Sequence, residues 1–213
     1  KMKNILDILK EAGALITNGH FVGTSGLHFD AYINKDALYM HPEATSNVCS
    51  IIAEKYKDQN IDVVIAPAIG GIILSQWTAY HLTKISERVE KGSTEPACVK
   101  EVLGIYTEKI AGKGQGFTRG YEKVVKNKRV LVVEDLTTTG GSVKKVAEAV
   151  REAGGEVVSI CVMVNKNPAE VHSASMGAFF ESLAEYPVKT YDAQDCPMCA
   201  AGIPLNVQVG DRK

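Results

Sequence analysis

VLVVEDLTTTGGS, at residues 130–142, reads as a buried strand that passes through a short loop into a helix. Four apolar residues deliver Glu134 and Asp135 to the edge of a sheet, where sugar hydroxyls can donate hydrogen bonds to the carboxylates. The Thr- and Gly-rich loop behind them offers hydroxyls and backbone N–H groups at a helix N-terminus, which suits a phosphate. The segment therefore predicts a site for a ligand that is both a diol and a phosphate ester. The alternative is an acidic strand end followed by a capped helix.

The surrounding pattern predicts an α/β fold. Strands are predicted over 61–66, 98–107, 130–133 and 157–164, and helices over 3–12, 43–56 and 142–153. Strands that alternate with helices imply a mainly parallel sheet flanked by helices, here in a single domain over residues 1–213. Ligands of such sheets bind beyond the carboxyl ends of the strands, so turns far apart in sequence can converge on one crevice.

The segment 130–142 resembles the phosphoribosyl pyrophosphate (PRPP) signature of the type I phosphoribosyltransferases. Over roughly residues 15–167 the order of segments is most similar to that of the orotate enzymes. The resemblance implies the type I phosphoribosyltransferase fold. It also implies a small hood from about residues 1–40, with part of the C-terminal tail, and a flexible loop at 109–120.

The resemblance also implies how PRPP is held. Glu134 and Asp135 accept hydrogen bonds from the ribose hydroxyls and act in catalysis. The residues implied to bind the 5-phosphate are Thr138, Thr139, Gly140, Gly141 and Ser142, and those implied to face the diphosphate are Ala68, Ile69, Gly70 and Gly71. At Gly70 the orotate enzymes often carry a lysine. The alternative for the second set is an ordinary strand-to-helix turn.

The loop 109–120 contains four glycines and is predicted to be mobile, since long loops in compact domains are usually functional or disordered. By resemblance Lys109 and Lys113 are the catalytic cations that cover the leaving diphosphate. The family's His-Gly is absent here, and the alternative is a solvated, disordered loop.

A second segment, SGLHFDAYINK at residues 25–35, resembles the part of the orotate enzymes that lies over the base. The residues implied to bind the base are His28, Tyr32, Lys35 and Lys166. Two alternatives remain open: His28 pairs with Asp30 for structural reasons, and Lys166 is a surface lysine after a strand.

The resemblance implies transfer of a phosphoribosyl group from PRPP to a nitrogenous base, most simply orotate, with Mg²⁺ as cofactor and pyrophosphate released. It implies a homodimer in which the mobile loop reaches the neighbour's site. The alternatives are an enzyme for a purine or another base, whose edge His28 and Asp30 could read, and a non-catalytic PRPP sensor.

Composition narrows the class of protein. The formal net charge of −1 disfavours a nucleic-acid binder, because such proteins normally carry a basic excess. No apolar stretch reaches the roughly 18 residues of a membrane span, and the N-terminal segment lacks the apolar core of a signal peptide. Five cysteines without framework spacing favour a reducing compartment. We therefore expect a soluble cytoplasmic protein without a membrane or nucleic-acid partner.

Cys196-Pro-Met-Cys199 is a single CxxC motif. Zinc in a structural site needs four ligands, and the sequence offers no second close pair. The motif is therefore interpreted as a turn stabiliser, with redox chemistry or a shared metal as alternatives, and no metal ligand is assigned.

Overall fold

The computed structural model describes residues 4–23, 26–91, 100–112 and 114–206. The strands in chain order are Leu15–Ile16 (β1), Phe21–Val22 (β2), His28–Phe29 (β3), Tyr32–Ile33 (β4), Val63–Pro67 (β5), Leu103–Ile110 (β6), Gly114–Gly116 (β7), Arg129–Thr137 (β8), Glu156–Asn165 (β9), Phe180–Glu185 (β10) and Thr190–Tyr191 (β11). The helices are Ile5–Glu11 (α1), Lys35–Tyr39 (α2), Pro42–Tyr56 (α3), Gly71–Lys91 (α4), Glu122–Val125 (α5), Gly141–Glu152 (α6), Ser173–Met176 (α7) and Pro197–Ala200 (α8).

The main sheet has the strand order β10-β9-β8-β5-β6-β7. All neighbours are parallel except β7, which pairs with β6 as an antiparallel edge strand. The carboxyl ends of β5, β8 and β9 therefore lie at one edge of the sheet. This arrangement confirms the predicted mainly parallel sheet flanked by helices.

The two faces of the sheet bury alternate residues, as the period of two along a strand requires. On β8, Val130 and Val132 pack in one core cluster with Val143 and Val146 of α6. Leu131 and Val133 point to the other face and pack in a second cluster with residues of α3 and α4. Since both faces are covered, β8 is apolar in consecutive positions until the two acids.

Two small antiparallel sheets accompany the main one. β1 pairs with β4, and β3 lies between β2 and β11. The tail after Asn167 thus contributes β10 to the main sheet and β11 to a small sheet built from the N-terminal segment. Among the described residues, no helix combines the length and the hydropathy that crossing a membrane requires.

The predicted elements are present, although β6 begins at Leu103 rather than at residue 98 and β8 extends to Thr137, and the segment 109–120 differs. β6 continues to Ile110, residues 111 and 112 form a turn, and β7 pairs back against β6, so much of the expected loop is a hairpin. Cross-strand pairing of Lys109 with Gln115 outweighs the low strand propensity of glycine. Lys113, Ser25 and residues 98–99 of the predicted strand, which entered the sequence interpretation, lie outside the described residues.

Candidate active site

The acidic pair occupies the sixth and seventh of the nine residues of β8. This strand runs through Thr137 because its neighbour β9 continues the pairing, with Leu136 opposite Val164. Glu134 and Asp135 retain only 8% and 4% of their accessible surface. Two adjacent carboxylates are thus buried together, which is unfavourable unless each finds donors or cations.

Asp135 finds its partners on α2. The Lys35 ammonium nitrogen and the Tyr39 hydroxyl oxygen each lie 3.1 Å from Asp135 Oδ2, and the Leu136 N–H donates to Asp135 Oδ1 at 2.7 Å. Glu134 Oε1 accepts from the Asp135 N–H at 3.1 Å. α2 therefore carries one cation and one hydroxyl to a carboxylate a hundred residues further along the chain.

Burial and the neighbouring Asp135 charge raise the pKa of Glu134 to about 8. Burial also raises the pKa of Tyr39, with the Asp135 carboxylate as the next cause, so its hydroxyl remains a donor. For Lys166 burial lowers the pKa, and the Asp135 charge opposes that effect. The acidic pair therefore lies in a poorly hydrated site, with Lys35 in contact with Asp135 and Lys166 within electrostatic range of it.

The turn after β5 lies against this pair. A Cβ on Gly70 would overlap Lys35 Nζ and Asp135 Oδ2, and a Cβ on Gly71 would come within 2.6 Å of Ala66 Cβ. The Ala68 N–H donates to the Thr107 carbonyl at 2.8 Å, which ties the turn to β6. Both glycines are thus required by close approach, and the turn closes one side of the crevice.

The loop between β8 and α6 leaves its polar groups accessible. Thr137 is buried and its Oγ1 accepts the Gly140 N–H at 2.9 Å, while Gly140 takes a left-handed conformation with φ 72°. The exposed residues of this loop are Thr138, Thr139, Gly141 and Ser142. A buried threonine therefore fixes the turn. The Gly141 N–H makes only a long contact to Thr139 Oγ1 at 3.4 Å, and the exposed hydroxyls of the loop face outward, which suits an anion at this helix N-terminus.

The β6–β7 hairpin and this loop line one cavity of about 820 Å³. Lys109 lies on the hairpin side, and Thr139, Gly141, Ser142 and Lys145 lie on the helix side. Lys109 thus lies near the β8–α6 loop of its own chain, which we call the anion loop. Sequence reasoning missed Lys145, although it follows Gly141 by four residues and so lies on the same face of α6.

The residues proposed for base binding separate into two groups. Lys35 forms an ion pair with Asp135, and Lys166 lies within electrostatic range of it. Tyr32 packs its ring against Phe21 and Phe29, at centroid distances of 5.6 and 6.4 Å. His28 is buried, and its Nδ1 contacts His20 Nε2 at 2.8 Å and Cys199 Sγ at 3.4 Å. The contacts of His28 are thus with a histidine and a cysteine rather than with the pairing partner considered above, Asp30.

Comparison with known proteins gives concordant results. Residues 34–180 match the family described as phosphoribosyl transferase domain. The orotate phosphoribosyltransferase of Caldanaerobacter subterraneus subsp. tengcongensis is 38% identical over 212 residues, which cover 99% of this chain and 98% of the relative.

Solved structures agree in fold. The crystal structure of orotate phosphoribosyltransferase from Aeropyrum pernix is 26% identical, with a TM-score of 0.57 over 85% of this chain and 93% of that one. For the Mycobacterium tuberculosis H37Rv orotate phosphoribosyltransferase in complex with Fe(III) dicitrate, the values are 21% identity and a TM-score of 0.63, over 86% and 97% of the two chains.

Proposed function

The chain belongs to the phosphoribosyltransferase family, and we propose that it transfers the 5-phosphoribosyl group of PRPP to orotate, forming orotidine 5′-phosphate and pyrophosphate. The observation that carries the proposal is the continuous site from Glu134 to Ser142. It joins a buried acidic pair to a loop whose exposed hydroxyls and helix N-terminus suit a phosphate. Relatives named orotate phosphoribosyltransferase that match nearly the full chain support the choice of base.

In this proposal the ribose hydroxyls donate to Glu134 and Asp135, and the 5-phosphate accepts hydrogen bonds from the loop at residues 138–142. The diphosphate faces the backbone of the turn at residues 68–71. A bond forms between the base nitrogen and C1 of the ribose, and the C1–O bond to the diphosphate breaks. Catalysis then consists of orientation and of stabilising the charge that grows on the leaving group.

Orotate is favoured over a purine by the charges around the site. Orotate carries a carboxylate, and two cations are available to it near the acidic pair: Lys35, which contacts Asp135, and Lys166, which lies within electrostatic range of Asp135. The purine alternative relied on His28, whose ring is occupied by His20 and Cys199.

Mg²⁺ is the proposed cofactor, and the donor set fits a hard cation. Two adjacent carboxylates are buried together and Asp135 forms an ion pair with Lys35, while burial and then the Asp135 charge raise the pKa of Glu134. Glu134 and Asp135 are the residues that would hold such an ion. Mg²⁺ bound together with PRPP would neutralise charge on the leaving diphosphate.

Exclusion of water is assigned to the β6–β7 hairpin, since water would otherwise compete with the base for C1. Lys109 already lines the cavity beside the anion loop, and movement of the hairpin would bring this cation over the diphosphate. Lys113 is proposed to act with it.

We also propose that the enzyme works as a homodimer in the cytoplasm. Sedimentation of the purified chain tests whether it forms a dimer.

The activity is tested with PRPP, Mg²⁺ and a panel of bases, following pyrophosphate release and nucleotide formation. We expect release with orotate and none above background with adenine, guanine or hypoxanthine. Release with a purine alone would overturn the choice of base. Thermal stabilisation by PRPP without turnover on any base would instead identify a sensor.

Lys166→Ala is expected to raise the KM for orotate by about 10- to 100-fold, the loss that follows removal of a charged hydrogen-bond donor. The KM for PRPP should change much less, because Lys166 is proposed to meet the base. Initial rates at varied orotate give the value, with the exposed Lys123→Ala as the matched control. An unchanged KM for orotate would remove Lys166 from the site.

PRPP affinity is expected to strengthen as pH rises from 6 towards 8. Burial and the Asp135 charge raise the pKa of Glu134 to about 8, whereas accepting two hydroxyl donors requires the ionised carboxylate. One proton must therefore leave on binding below that pKa, which weakens affinity by about tenfold for each lower pH unit. Calorimetry of PRPP with Mg²⁺ across this range measures the slope.

Glu134→Gln provides the control for this pH dependence, because it retains the shape of the side chain and cannot ionise. The slope due to Glu134 should vanish in this variant, leaving the titration of the ligand itself. An equal slope in both proteins would show that Glu134 does not change its protonation on binding.

A further inference from the structure

Four potential metal ligands meet outside the candidate active site. They are His20, His28, Cys196 and Cys199, which we call the Cys2His2 cluster, and their ligand atoms all lie within 4.8 Å of one another. His20 precedes β2 and His28 begins β3. Cys196 is the N-cap of α8, and Cys199 lies within that helix. All but Cys199 are buried. The cluster thus joins the N-terminal segment to the C-terminal tail.

The reason given above for assigning no metal ligand was the lack of a second close pair in sequence. That reason does not hold in three dimensions. The antiparallel pairing of β2 with β3 brings two histidines together that are eight residues apart, and β11 pairs with β3 and carries the tail back beside them. Spacing within one segment could not reveal this, because the ligands come from opposite ends of the chain.

The distances fit a tetrahedral ion. Cys196 Sγ lies 3.6 Å and Cys199 Sγ 3.7 Å from His20 Nε2, and Cys199 Sγ lies 3.4 Å from His28 Nδ1. Tetrahedral zinc with its usual bond lengths places sulfur and nitrogen ligands about 3.6 Å apart and two nitrogens about 3.3 Å apart. The two histidine nitrogens, now 2.8 Å apart, need to separate by only a few tenths of an ångström.

The surroundings orient the ligands. His20 Nδ1 lies 2.7 Å from the Ile203 carbonyl oxygen, which can only accept, so Nδ1 carries the proton and Nε2 presents a lone pair to the cluster. A carbonyl behind a histidine is the usual outer partner of a metal-binding imidazole. The Cys199 N–H donates to Cys196 Sγ at 3.5 Å, which holds the two cysteines in place at the start of α8.

We propose that His20 Nε2, His28 Nδ1, Cys196 Sγ and Cys199 Sγ bind one Zn²⁺ ion that fastens the C-terminal tail to the small β2-β3-β11 sheet. Four protein ligands leave no open position, so the site is structural rather than catalytic. Thiolate and imidazole ligands in this number favour zinc over Mg²⁺ or Ca²⁺. This proposal does not depend on the proposed transferase activity.

A zinc staple has a physical role here because the sheet that it joins is small. Its strands are two residues long, and the Asn206 N–H of the tail donates to the His20 carbonyl at 2.7 Å. Such a sheet buries little apolar surface and gains from a metal cross-link. The same segment continues through β4 to Lys35, so the ion would also steady the approach to Asp135.

The test is metal analysis of the full-length chain, reduced and reconstituted with ZnCl₂, then desalted. We expect about one zinc per chain, and loss of it in the double variant Cys196→Ser/Cys199→Ser. Cys49→Ala and the exposed His41→Ala, which alter the same residue types elsewhere, should retain the metal. Zinc at the buffer level in the reduced wild-type chain, or undiminished zinc in the double variant, would overturn the proposal.

Co²⁺ substitution provides a readout that does not depend on the variants folding. We expect wild-type protein to show thiolate-to-cobalt charge transfer with the strong visible bands of a tetrahedral ion, displaced stoichiometrically by Zn²⁺. Weak octahedral bands without charge transfer would exclude a cysteine-bound site. Chelation of the zinc should lower the Tm of the wild type and leave that of the double variant unchanged.

Discussion

Asp135→Asn is expected to lower kcat/KM for PRPP by about 100-fold or more, the scale of losing a charged group that stabilises the reacting state in a buried site. Asp135 is 4% exposed, and its carboxylate forms an ion pair with Lys35 and accepts a hydrogen bond from Tyr39. The amide of asparagine can occupy the same space. The variant removes the negative charge that the ribose hydroxyls are proposed to meet.

The fold should survive this change. The Lys35 partner is about one-third exposed, so loss of the ion pair is expected to cost about 1 kcal/mol of unfolding free energy or less. Pyrophosphate release and thermal unfolding of the same preparation separate the two effects, with exposed Asp58→Asn as the matched control. A folded variant that releases pyrophosphate at the wild-type rate would contradict the role of Asp135.

Gly141→Val is expected to weaken PRPP binding by about 100-fold or more, since it blocks phosphate from N–H donors whose charged hydrogen bonds contribute about 1.5–3 kcal/mol each. In the free chain a Cβ at Gly141 meets only Thr139 Oγ1, at 3.5 Å. The substitution therefore acts on the ligand far more than on the fold.

Calorimetric titration with PRPP and Mg²⁺ measures this loss, and Gly141→Ala should fall between the wild type and the valine variant. Lys144→Val is the matched control, because it places the same β-branched residue on an exposed position of α6. Equal affinity of Gly141→Val and the wild type would move the phosphate away from this loop.

The local sequence pattern was sufficient to predict the central βαβ unit and the acidic and hydroxyl groups that it carries. The apolar run before Glu134 and the Thr-Gly loop behind Asp135 lie within thirteen residues, so neither depends on distant contacts. The end of β8 was less predictable. It continues through Leu136 and Thr137 because β9 offers partners there, and pairing with a neighbour is not encoded locally.

The partners of the site were not predictable in the same way. Lys35 meets Asp135 across a hundred residues, and Lys145 joins Lys109 only because the β6–β7 hairpin packs beside α6. The glycines at 112, 114 and 116 predicted a loop, whereas strand pairing with β6 makes a hairpin. Tertiary contacts decided each of these outcomes, as they did for the Cys2His2 cluster.

The central claim is that residues 134–142 hold one phosphorylated sugar, and a crystal structure of the chain with PRPP and Mg²⁺ tests it most directly. The account predicts both ribose hydroxyls within hydrogen-bonding distance of Glu134 and Asp135, with the 5-phosphate on the N–H and hydroxyl groups of residues 138–142. PRPP bound elsewhere, with these residues contacting only solvent, would contradict it.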